Sequence, residues 1–100
     1  MIVKILPNDR SDPPGKLADV ELLFEEGALN GLRLIGFGIW ESRSGHGRNV
    51  TFPARSYFVR GEKRTYALLR PVSDDVKADP VRKLILESYA EFEQRQAVAT

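Results

Sequence analysis

The sequence has no cysteine and one histidine, His46, among 100 residues. Without thiols there are no disulfides and no thiolate metal ligands. His46 stands between Gly45 and Gly47, with no neighbouring base or second ligand, so it reads as solvent-exposed and non-catalytic. No apolar run approaches the roughly 18 residues of a membrane span. The opening M-I-V-K-I-L-P-N-D-R lacks the basic stretch and long apolar core of a secretory signal. The expectation is a cytoplasmic protein with no membrane partner. Walker A, G-x-S-x-G and H-E-x-x-H patterns are all missing. G-F-G-I-W-E and G-H-G-R lack the strand, glycine loop and helix context of a dinucleotide site. The adjacent carboxylates Glu25/Glu26 and Asp74/Asp75 have no partner base. These absences argue against an enzyme, a cofactor, a metal site and a small-molecule substrate.

What is present describes a globular chain: hydrophobic residues are 42% and charged residues 29%, too apolar for disorder. The length fits one domain over residues 1–100. A domain this small buries only about two-thirds of its unfolded surface, so a subunit interface would add stability and a homodimer is expected. The net charge of +1 conceals a strong segregation. Residues 1–30 hold three Lys/Arg against six Asp/Glu, residues 31–70 eight against two, and residues 71–100 four against six. A basic block between two acidic ones points to an anionic partner; solvated loop charges that maintain solubility are the plainer explanation.

Alternation and turn residues divide the chain. Met1–Leu6 is short and β-branched, a strand. Residues 7–16, P-N-D-R-S-D-P-P-G-K, form a loop. In L-A-D-V-E-L-L-F-E-E, Ala18, Val20, Leu22 and Phe24 share one parity, and Asp19, Glu21 and Glu25 the other, as in a half-buried strand. After a turn from Gly27 to Gly31 comes L-R-L-I-G-F-G-I-W-E. There Ile35, Phe37 and Ile39 share one face; Leu34, Gly36, Gly38 and Trp40 share the other. Two glycines on one strand face imply close approach by a helix, another subunit or a ligand. Residues 42–48 are a turn. V-T-F-P-A-R-S-Y-F is a fourth strand, with Val50, Phe52, Ala54 and Phe58 toward the core and Pro53 marking an edge or bulge. V-R-G-E-K is the turn into a fifth strand, R-T-Y-A-L-L-R. Asp79 then Pro80 predicts an N-cap and first helical residue. Val81, Leu84, Ile85, Ser88, Tyr89 and Phe92 form a helical stripe, and the helix should fray near Gln96. The predicted class is α+β: an antiparallel sheet of about five strands with one C-terminal helix.

The two last strands pose the functional question. If Ala67 and Leu69 point inward, the outer face carries Arg55, Tyr57, Arg64, Tyr66 and Arg70. Arg48, Arg60 and Lys63 add charge in the flanking turns. Guanidinium groups bind phosphates with paired hydrogen bonds, and aromatic faces stack on unpaired bases. Alternatively the tyrosines cover a second apolar layer and the arginines run past them to water. Arg82 and Lys83 stand in the first helical turn, where the macrodipole disfavours cations. Either a phosphate compensates them, or Asp74, Asp75 and Asp79 do.

G-K-L-A-D-V-E-L-L-F, L-R-L-I-G-F-G-I-W-E, V-T-F-P-A-R, E-K-R-T-Y-A-L-L-R-P-V and V-R-K-L-I-L-E-S-Y occur in an order that resembles the septation protein SpoVG family over about residues 1–92. The resemblance implies a small bacterial regulator that binds DNA, with RNA binding also described, and that dimerises through its sheets. The family's M-P-S-basic segment matches F-P-A-R, so Pro53 and Arg55 carry over, with Phe52 and Ala54 in place of Met and Ser. A second basic residue of the family is replaced by Ser56, and residues 42–48 have no clean counterpart. Arg64 matches the basic residue after the family's G-E turn, and Arg82 and Lys83 match those at its helix start. Two functions stay open: a dimeric nucleic-acid-binding regulator, and a protein-interaction module using Trp40, Tyr57 and Tyr66.

Overall fold

A computed structural model describes residues 1–10, 12–45 and 47–99. Six strands and one helix confirm the α+β class: β1 (Ile2–Pro7), β2 (Lys16–Leu23), β3 (Arg33–Glu41), β4 (Arg48–Thr51), β5 (Ala54–Val59), β6 (Glu62–Ala67) and α1 (Asp79–Ala99). The first four form an antiparallel meander in the order β1-β2-β3-β4, and β5 and β6 make a separate two-stranded sheet. No helix among the described residues is long and apolar enough to cross a membrane.

The core lies between one face of the meander and α1. Ala18, Val20 and Leu22 of β2, Phe37 and Ile39 of β3, and Val50 of β4 are buried against Ile85 and Tyr89. Val3 and Ile5 of β1 extend the same face, because they stand opposite Leu22 and Val20. Burying each large side chain contributes about 1.5–3 kcal/mol. Of the predicted helical stripe, Ile85 and Tyr89 are buried and Val81 and Phe92 pack around them; Leu86, outside that stripe, joins them, and Leu84 and Ser88 are only half-buried.

The expected alternation of the third strand is broken by a bulge. Val20 pairs with Phe37, but Leu22 pairs with Leu34, so β3 carries one extra residue there. Gly36 has φ +107, in a region favoured only by glycine. The extra residue flips the alternation: Leu34 packs on the core, and Ile35, which strict alternation puts on the face of Phe37 and Ile39, is 60% exposed. What comes close to the glycines is the chain itself. A Cβ on Gly36 would stand 3.1 Å from Pro53 Cβ, and one on Gly38 2.9 Å from both Thr51 Oγ1 and Trp40 Nε1. The Trp40 indole N–H donates to Thr51 Oγ1 at 3.0 Å, and the Lys16 ammonium stands 5.7 Å from the Trp40 ring centre.

The predicted fourth strand is two strands in two sheets. Pro53 has no N–H for a ladder and is buried over Gly36, so the chain leaves the meander there. Val50 is buried and Phe52 meets Phe37 edge-on with ring centres 5.3 Å apart. Beyond the proline, Ala54 is exposed and Phe58 is 71% exposed, so the expectation that both face the core is overturned.

The helix begins one residue away from its expected cap. The Ala78 carbonyl accepts hydrogen bonds from the N–H groups of Val81 (3.1 Å) and Arg82 (3.2 Å). Ala78 is therefore the cap, and Asp79 is the first helical residue rather than the N-cap. α1 also continues to Ala99, past the expected fraying at Gln96. No Gly or Pro stops it, and Glu91 pairs with Arg95 one turn on, at 3.5 Å.

Candidate nucleic-acid interface

The β5–β6 hairpin is joined by two residues, Arg60 and Gly61, rather than the five expected, because Val59 pairs directly with Glu62. Both have positive φ, +51 and +83, the signature of a type I′ turn whose twist matches that of the strands. Gly61 meets this requirement freely. Arg60 is the single non-glycine with positive φ among the described residues, and a left-handed conformation costs such a residue about 1–2 kcal/mol.

Register then sorts the side chains. Arg55 stands opposite Tyr66, and Tyr57 opposite Arg64. These four project from one face, with cation and ring alternating both along and across the strands. The tyrosine rings are diagonal neighbours with centres 5.6 Å apart and planes inclined at 57°. Such an aromatic contact adds about 0.5–1.5 kcal/mol, which matters in a two-stranded ribbon that is marginal by itself. The opposite face carries Ala54, Ser56 and Phe58 against Ala67, Thr65 and Lys63. Every residue from Ala54 to Tyr66 is exposed, so neither face rests on the core. The base is tied by the Leu68 N–H to the Pro53 carbonyl at 2.9 Å. The radius of gyration, 15.4 Å, exceeds the roughly 13 Å of a compact 100-residue chain, as befits an unpacked ribbon.

Electrostatically the ribbon is underpaired. Arg64 lies 3.6 Å from Glu62, and Arg55, Arg60 and Lys63 enter no salt bridge among the described residues. Their charges are free to meet an anion.

The remaining predicted residues lie elsewhere. Strand β6 ends at Ala67, so Arg70 is not on the ribbon face. It lines a cavity of about 160 Å³ with Phe52, Leu69 and Lys77 beside the helix start. Arg82 sits at the hairpin's root, 5.4 Å from the Phe52 ring centre, and pairs with Asp79 at 2.8 Å. Lys83 approaches Glu87 at 3.9 Å. Acids of the helix itself thus accompany both first-turn cations. Arg48 is engaged in the body: it makes a bidentate pair with Glu93, Nη2 to Oε2 at 2.7 Å, and covers the Tyr89 ring at 4.7 Å. The Glu93 hydrogen bond raises the Arg48 pKa against the opposing effect of burial. Burial raises that of Tyr89, with the nearby Glu93 charge adding to it. His46 lies outside the described residues. Two residues that sequence reasoning left out belong to this surface: Lys77, beside Arg70, and Phe58, which its parity with Ala54 had assigned to the core.

Among the described residues no group of three His, Cys, Asp or Glu side chains could hold a metal ion. Comparison with protein-family models, curated proteins and solved structures finds no match to this chain.

Proposed function

We infer that the chain is a nucleic-acid-binding regulatory protein whose contact surface is the β5–β6 hairpin. The observation that carries this reading is the exposed face on which Arg55 and Arg64 alternate with Tyr57 and Tyr66. Arg55, Arg60 and Lys63 can neutralise phosphates without first breaking an internal pair, and Arg64 gives up only an exposed 3.6 Å contact with Glu62; neutralising phosphates is the main source of non-specific affinity. Arg60 and Lys63 extend the same charge, and Arg70, Lys77 and Arg82 supply a second patch at the ribbon's root, with Lys83 following on the helix. The resemblance to the SpoVG family supports the same reading, together with a cytoplasmic bacterial setting, no catalysis and a homodimer. Gly36 and Gly38 are already filled by Pro53, Thr51 and Trp40, so the glycine-bearing strand face is not open to a second copy. Titration of DNA and RNA at several salt concentrations tests the function. Binding that weakens linearly on a log–log salt plot is expected, and no binding at low salt refutes it.

A second reading rests on the apolar exposure of Phe58, Leu68 and Val72, which suits a protein partner. In that case the chain elutes with a partner or as an oligomer and ignores nucleic acid at every salt concentration.

A further inference from the structure

The ribbon carries cations on both faces and at its tip. Arg55 and Arg64 project beside the tyrosines, Lys63 projects from the opposite face across from Phe58, and Arg60 occupies the turn. A ligand lying on the tyrosine face alone would meet Arg55 and Arg64 and leave Lys63 and Phe58 in water. Building on the nucleic-acid reading above, we propose that the hairpin enters the major groove of duplex DNA, with its two faces toward the two phosphate walls and Arg60 at the leading end.

The dimensions agree. The two strands of a ribbon lie about 4.7–4.9 Å apart, and the B-form major groove is about 12 Å wide and admits a two-stranded ribbon. The two-residue turn keeps the leading end narrow. Phosphates on both walls match cations on both faces. Other nucleic acids fit less well. The major groove of an RNA duplex is too deep and narrow for side chains to read. A single strand has one backbone to offer two charged faces. Its bases also stack best on open aromatic platforms, whereas Tyr57 and Tyr66 are inclined at 57° to each other. The turn supplies a further argument. Asn or Gly is the usual residue where Arg60 stands, and strained backbone that persists clusters at ligand-binding sites. A groove-bound tip needs a cation there.

Salt-dependent titration of the whole chain tests this with three probes of one sequence: a DNA duplex, its single strand and the RNA duplex. The variants are Arg55→Ala, Lys63→Ala and Arg60→Asn; the last keeps the turn in its preferred chemistry. Circular dichroism verifies that each is folded. The wild type should bind the DNA duplex most tightly. Each variant should reduce the magnitude of the log–log salt slope on that duplex by about 1, one phosphate contact fewer. Methylating guanine N7, on the floor of the major groove, should weaken binding. A Lys63→Ala slope equal to wild type, beside a reduced Arg55→Ala slope, overturns groove entry in favour of one-faced docking. Equal or tighter binding to the single strand or the RNA duplex overturns it too. If the wild type binds none of the three, the nucleic-acid reading itself falls.

Discussion

In the meander, alternation places Ala18, Val20 and Leu22 under a helix. In the hairpin, the same alternation places Arg55 and Tyr57 on one face and Ser56 and Phe58 on the other, and nothing covers either. Period-two patterning therefore specifies which residues share a face, and it is silent about what that face meets. In the body the partner is α1, supplied by the chain. In the ribbon the chain supplies none, and the cations that enter no salt bridge among the described residues are the reason an anionic partner is proposed. The boundary between these regimes is one residue, Pro53, which ends the ladder and seals itself over Gly36.

The contrast is broken most sharply by paired truncations. Phe37→Ala should destabilise the protein by about 3–5 kcal/mol through lost burial and a cavity. Phe58→Ala should change stability by no more than about 0.5 kcal/mol, as an exposed site. Chemical denaturation of both variants checks this, and a large loss in Phe58→Ala would show that the ribbon packs on the body. Gly36→Ala comes next. The residue would carry a Cβ at positive φ and 3.1 Å from Pro53, a strain of about 1–3 kcal/mol. A reduced melting temperature is expected, and wild-type stability would mean that Pro53 does not seat there.

Asp79→Ala should have a smaller effect, about 0.3–1 kcal/mol, because Asp79 acts as a first-turn acid paired with Arg82 rather than as the cap. Thermal melts at low and high salt distinguish the roles, since the charge effect fades with salt and a cap does not. The smallest effect is alkaline. Burial raises the Tyr89 pKa in the folded chain, so above about pH 10 the unfolded chain releases this proton first. Stability from this group is whole below that pH and declines as pH rises through the folded value. A pH series of melts that stays level across the alkaline range would contradict the burial of the Tyr89 hydroxyl.

Much of this was legible in the sequence. The alternation of β2 and the stripe of α1 each have an uninterrupted period, and the helix and sheet faces follow from it. The face shared by Arg55, Tyr57, Arg64 and Tyr66 was legible for the same reason. Illegible features are those where one residue resets the period. Gly36 inserts a bulge that exchanges Ile35 for Leu34. Pro53 divides one apparent strand between two sheets, so Phe58 kept the parity of Ala54 but lost the core that gave parity meaning. Arg70 shares the parity of Tyr66, but the strand ends at Ala67. Asp-Pro is a strong local start signal, but the Ala78 carbonyl takes the cap role through backbone alone.

Under the proposed function the ribbon binds nucleic acid independently of the body's stability. The double variant Arg55→Ala/Arg64→Ala measures both in one sample. The predicted result is an unchanged melting temperature with a log–log salt slope on nucleic acid smaller in magnitude by about 2. A double variant that binds with the wild-type slope contradicts the account and moves the site to the cations at the helix start.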